Sequence, residues 1–238
     1  QIFTWLRGSN SEDTLIAVGC DSTNLNTGWK GGIVHNLEKS LNHKLIWLVC
    51  ALHTNELPLR HLFEKLDGKS ISSNKFSGQI GKLVPYANDL AISEPMPNLD
   101  LCASSINIDP TIRTSLTGDQ LYLYDISNAI ITRVFPQNLK HKKIGPHNHA
   151  RWLNLASRLC KIWCSENCLT STDREKLKLL VQFVVGVYSP MWFNIKREQN
   201  WIEGPRHFLK QLFLLRQQNV RVQELTLPYM LSSAWYCH

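Results

Sequence analysis

The chain has 238 residues, 43% hydrophobic and 19% charged, with a formal net charge of +7. It is long enough to bury a core, too apolar for a disordered polypeptide, and lacks the run of roughly 18 apolar residues that a membrane-spanning helix needs. Residues 1–8 have no apolar core of the signal-peptide kind, and the seven cysteines form no dense framework of the secreted kind. Reduced thiols are therefore expected, in the nucleus first and the cytosol second.

The charge is uneven. Residues 1–139 hold 11 Lys+Arg against 13 Asp+Glu, and residues 140–238 hold 15 against 6, a balance of −2 followed by one of +9. Such asymmetry fits either a polyanion-facing half or a lysine-rich solvated face.

Residues 14–21 (TLIAVGCD) form a short apolar run ending on an acid, which predicts a buried strand with Asp21 at its C-terminal edge. A polar loop follows, and Gly31-Gly32 opens a predicted helix to about Leu41. Residues 44–50 (KLIWLVC) predict a second buried strand, and residues 56–66 an amphipathic helix with Leu59, Leu62, Phe63 and Leu66 on one stripe. Strand, helix, strand, helix with short connectors predicts a right-handed crossover and a parallel pair. From residue 69 to about 117 the pattern dissolves into Ser, Asn, Pro and Gly, an unusually long irregular stretch for a compact domain. Thr117 reads as the N-cap of a helix over 119–133. A basic, His-bearing linker over 136–149 leads to predicted helices at 151–164, 173–188 and 205–217.

Two local constellations could carry chemistry. In the first, a carboxylate at a strand end lies beside a Gly-rich turn (Asp21, Gly28, Gly31, Gly32), a place where ligands gather in α/β sheets and where Mg²⁺ finds hard oxygens. Asp21 could equally cap its own loop amides. In the second, Cys50-x-x-His53 ends the next strand. It is half of a zinc pattern, with no second ligand pair at suitable spacing. Cys160, Cys164 and Cys168 recur every four residues, which on one helix makes a packing stripe.

Taken in order, Asp21 with its downstream glycines, Cys50 with His53, and Arg151-Trp152 opening a later helix resemble the hAT (hobo–Activator type) superfamily of DNA transposases. Residues 55–62 (NELPLRHL) and 188–193 (YSPMWF) also resemble a group of arthropod proteins derived from such elements. The resemblance implies an α/β fold: a ribonuclease-H-like core, incomplete at the N-terminus, with a mostly α-helical C-terminal half. Residues 1–68 would be the partial core, 69–116 an irregular loop or insertion, and 117–238 a helical region able to rejoin the core. With the first strands upstream of Gln1, the strand ending at Asp21 would keep an unpaired edge.

The same resemblance implies metal-dependent DNA cleavage and strand transfer by two Asp and one Glu holding Mg²⁺ or Mn²⁺. Asp21 matches the second Asp and a metal ligand, while the first would lie upstream. Glu203 is the leading candidate for the third acid, ahead of Glu198 and Glu224, although a Glu before Pro205 also suits a helix N-terminus. Cys50, His53, Arg151 and Trp152 are motif positions that support the site. DNA is the implied partner, with Lys140, Lys142, Lys143, Arg158 and Lys161 as the phosphate-tracking surface; a homo-oligomer is left open, and no membrane is involved. One acid of three would leave this chain without cleavage activity. The alternatives are an inactive relic that binds nucleic acid or protein, and a structural helical interaction domain.

Overall fold

The computed structural model describes residues 1–69, 71, 76–101, 105–146, 150–197 and 203–233. The chain begins with α1 (Ile2–Gly8), β1 (Ala17–Cys20), the single turn α2 (Asn24–Thr27), α3 (Ile33–Leu41), β2 (Ile46–Val49) and α4 (Ala51–Asp67). β1 and β2 are parallel, with Ala17 opposite Ile46 and Cys20 opposite Val49, the crossover that the sequence pattern predicts. A small core of Leu6, Leu37 and Leu45, extended by Val18 and Trp47, joins this sheet to α1 and α3. Ile46 and Leu48 are exposed, so the alternate positions of β2 leave an apolar strip uncovered, whereas parallel sheets are usually covered on both faces. Among the described residues β1 pairs with β2 alone, and its other edge is unpaired.

Glu38 fastens α3 to the start of β2. Its carboxylate accepts from the Leu45 amide (3.0 Å), the Trp47 indole (2.9 Å) and Lys44 Nζ (2.9 Å). Burial raises its pKa, but these three donors outweigh burial and hold the carboxyl below its ordinary value. Glu38→Ala strands a buried amide and an indole N–H. We expect it to cost about 2 kcal/mol, read as a lowered urea midpoint with unchanged slope.

The rest of the described structure is mostly helical, and helix makes up 64% of the described residues. The helices are α5 (Gln79–Leu83), α6 (Pro110–Ser115), α7 (Gly118–Thr132), α8 (Gln137–His141), α9 (Arg151–Trp163), α10 (Ser171–Phe183), α11 (Ser189–Ile195), α12 (Gly204–Arg216) and α13 (Val220–Ser233). A 3₁₀ turn occupies Val84–Asp89, and a π turn occupies Val184–Tyr188. The main core runs from Leu59 on α4 to Met230 on α13. α4 is its spine: Asn55 donates to the Tyr188 carbonyl (3.0 Å) and accepts from Gln211 of α12 (2.6 Å).

Three differences from the sequence pattern bear on the site. First, α4 starts at Ala51 rather than Glu56, with Cys50 as N-cap and Pro58 inside the helix. His53 therefore sits in the first helical turn, directly after β2. Second, the irregular stretch is tied into the main core. The buried Asp67 carboxylate accepts the amides of Ile80 (2.9 Å) and Gly81 (2.6 Å), and Phe76, Ile80, Val84, Leu99, Ile106 and Ile108 are buried.

Third, the helix expected to stop at Tyr188 continues to Ile195. The Ser189 amide donates to Val184 O across the π turn. That wider turn makes room for Pro190, which has no N–H and would crowd an ordinary α turn. In α7, Thr117 is the N-cap as predicted, and its amide donates to the Gln120 side chain (3.1 Å).

Candidate functional site

The C-terminal ends of the two parallel strands bring Asp21 and the start of α4 together. Asp21 Oδ1 accepts from the Thr23 amide (2.9 Å), Thr23 Oγ1 (2.6 Å) and Asn26 Nδ2 (2.8 Å). These bonds, that from the Thr23 hydroxyl first, hold the carboxyl below its usual range. Asp21 thus caps its own loop, one of the two sequence readings, while Oδ2 points the other way, 3.8 Å from His53 Nδ1. The Asp21 side chain is 45% exposed and that of His53 25%. Two motif elements 32 positions apart in sequence meet here. The Cys50 amide donates to Cys20 O (2.9 Å), and this bond continues the strand ladder up to the helix N-cap.

Glu56, inside the motif stretch but not picked out from sequence, lies three positions after His53, a neighbour on the helix surface. Burial raises its carboxyl pKa to about 7. Tyr188, whose pKa is raised by burial and then by Glu56, has a buried hydroxyl with no hydrogen-bond partner among the described residues. The signal that could have found Glu56 is its spacing from His53.

The other predicted residues lie elsewhere. Glu203 is the N-cap of α12, ion-paired to Lys210 (2.6 Å) and to Arg206 (3.8 Å). The Lys210 bond lowers its pKa, and no hydrogen bond or ion pair links it to Asp21. Glu224 is paired with Arg221 (3.1 Å). Glu198 lies outside the described residues, as do His147, His149 and the Arg151 side chain. Trp152 is buried in the main core, with the Arg60 guanidinium 6.0 Å from its ring centre.

The predicted phosphate-tracking surface needs correction. Arg158 is 6% exposed and Lys161 2%. Arg158 donates to Val84 O (3.0 Å) and Gly145 O (2.8 Å), and burial lowers the pKa of both side chains. Lys140 pairs with Glu94 and Lys142 with Asp125 (3.7 Å), which leaves Lys143 exposed. A basic tally counts charges; it does not register that α9 turns two of them into the core. Cys160 and Cys164 are buried there as well, whereas Cys168 lies beyond the helix and is exposed; all three are free thiols.

Asp21 offers one carboxylate oxygen outside its loop bonds, the one that faces His53, whereas Mg²⁺ or Mn²⁺ in a cleavage site needs several hard ligands, shared between two ions. Among the described residues no group of three His, Cys, Asp or Glu side chains comes together as metal ligands. The site as built does not fit a resident pair of metal ions. No helix among the described residues is long and apolar enough to cross a membrane. Comparison of the chain with protein-family models, curated proteins and solved structures gave no match.

Proposed function

We propose that the chain is a hAT-transposase-derived protein, built on part of a ribonuclease-H-like core, that binds nucleic acid in the nucleus without cleaving it. The observation that carries this reading is the meeting of Asp21 and His53, 3.8 Å apart at the carboxyl ends of a parallel strand pair, where α/β folds place their ligands. The ionised, half-exposed Asp21 carboxylate is what such a site would keep. Among the described residues no second carboxylate joins Asp21 and His53 as a metal-ligand group, so cleavage is not assigned to this chain. The net charge of +7 favours a polyanionic partner.

The test pairs binding with cleavage. Anisotropy of a labelled DNA is followed from about 50 to about 200 mM NaCl, and supercoiled plasmid is incubated with the protein and MnCl₂. We expect affinity to fall steeply with salt and the plasmid to stay intact. Manganese-dependent nicking that Asp21→Ala abolishes would overturn the non-cleaving assignment. The absence of any DNA binding at the low-salt end would overturn the whole reading.

A further inference from the structure

The loop between β1 and α3 is one hydrogen-bonded unit. Asp21 holds Asn26 (2.8 Å), Thr23 O accepts the amides of Asn26 (2.9 Å) and Thr27 (2.8 Å), and the Gly28 amide donates to Asn24 O (3.0 Å). Gly28 O then closes a tight turn by accepting the amide of Gly32 (2.7 Å), and Asn36 donates to Gly31 O (3.0 Å) to tie the turn to α3. A Cβ on Gly28 would come within 2.5 Å of Asn24 O, and one on Gly32 within 2.5 Å of Gly28 N, so the glycines make this closure sterically possible.

Trp29 and Lys30 stand at the tip of that turn. Trp29 is 63% exposed. Lys30 Nζ lies 4.6 Å from its ring centre. Beside them a cleft of about 410 Å³ is lined by Asn24, Trp29, Lys30, the glycine backbone and Ser232 of α13. Trp29 is its one large apolar surface; the rest is amide, hydroxyl and ammonium. The cleft lining itself offers an acyl chain little beyond the Trp29 ring. An unpaired nucleobase needs a flat aromatic face for its ring and a cation for its phosphate.

We propose that Trp29 and Lys30 form a binding site for single-stranded nucleic acid, with Trp29 stacking a base, Lys30 holding the adjacent phosphate and Asn24 facing the base edge. This inference rests on the nucleic-acid-binding reading and specifies its ligand. Asp21 sets the loop that presents Trp29, so the strand would lie along the same sheet end as the Asp21–His53 pair. Trp29 and Lys30 are binding residues and have no part in bond-breaking.

The test measures the anisotropy of a labelled oligothymidylate and of a duplex of equal length, with wild type, Trp29→Ala, Trp29→Phe and Lys30→Ala. Trp29→Ala is expected to weaken oligothymidylate binding about 5- to 150-fold, the range of one lost base stack. Trp29→Phe should restore most of that affinity, and Lys30→Ala should reduce the salt slope by about 0.7. Thermal melts should be unchanged, because the side chain is outside both cores. Duplex binding by wild type with full oligothymidylate affinity in Trp29→Ala overturns this site and leaves the nucleic-acid reading intact. Binding of neither probe by wild type overturns both.

Discussion

Replacing Arg158 by Ala will destabilise the protein by about 4 kcal/mol, read as a large drop in urea midpoint. Its guanidinium is buried and donates to two backbone carbonyls, Val84 O at 3.0 Å and Gly145 O at 2.8 Å. Hydrogen bonds from a charged donor contribute about 1.5–3 kcal/mol each, and breaking a buried charged network typically costs about 3–5 kcal/mol. The network extends further: Asp119 accepts the Gly145 amide (2.8 Å) and Asn154 Nδ2 (3.2 Å), and its charge partly offsets the effect of burial on Arg158. Arg158→Lys cannot reproduce the planar fork and should recover at most half of the loss. Were Arg158 a DNA-contacting residue on the surface, Ala would change affinity and leave the midpoint unmoved; that result would refute the buried-strut role.

Glu56→Gln will stabilise the protein at pH 8 and have little effect at pH 4. The folded-state pKa of Glu56 is raised from 4.5 to about 7 by burial, so the folded protein holds this proton to higher pH than the unfolded chain. The sign follows: below about 4.5 both states are protonated and Glu56 has no net effect. Stability then falls as pH rises through the window from 4.5 to 7, and above it the full cost of a half-buried carboxylate is present. At about 1.4 kcal/mol per unit this amounts to about 3 kcal/mol. Gln keeps the shape and carries no charge, so wild type and variant should converge at acid pH and separate by up to that amount at pH 8. Midpoints that stay equal from pH 4 to pH 8 would mean that Glu56 is solvated. Tyr188, a buried group that feels the Glu56 charge, has a hydroxyl with no hydrogen-bond partner among the described residues. α4 carries Glu56 and His53 together, so ionisation of Glu56 is expected to loosen the same turn that faces Asp21.

Much of the site's position was readable in the residues. Asp21 and Cys50 fall at the ends of the two apolar runs, and those runs are short enough to be strands and far enough apart in sequence for a helical crossover between them. Likewise Thr117, followed by Gln120, carries the start of α7 in its own chemistry. The start of α4 was not readable, because polar residues at 53–56 break the apolar stripe ahead of Leu59 and Pro58 is a residue that ordinarily begins a helix or breaks one. The core contacts of residues 76–108 were hidden too. Phe76, Ile80 and Val84 share a four-residue spacing over too short a run to mark a long helix, Leu99, Ile106 and Ile108 follow no common period, and all six are buried in a core built from segments remote in sequence.

The basic residues mark the limit most clearly. Sequence alone determined how many positive charges the C-terminal half holds, where the two strands end, and that Asp21 sits at one of those ends, since each of these is a local property of composition or spacing. Tertiary structure alone decided which charges face solvent. Arg158 is buried because Val84 O, 74 positions earlier, and Gly145 O converge on it; Glu203 is held by Lys210 and Arg206; and His53 lies against Asp21 because a parallel ladder aligns the ends of β1 and β2. Those outcomes depend on hydrogen bonds and packing between segments far apart in the chain, which no periodicity within a segment encodes.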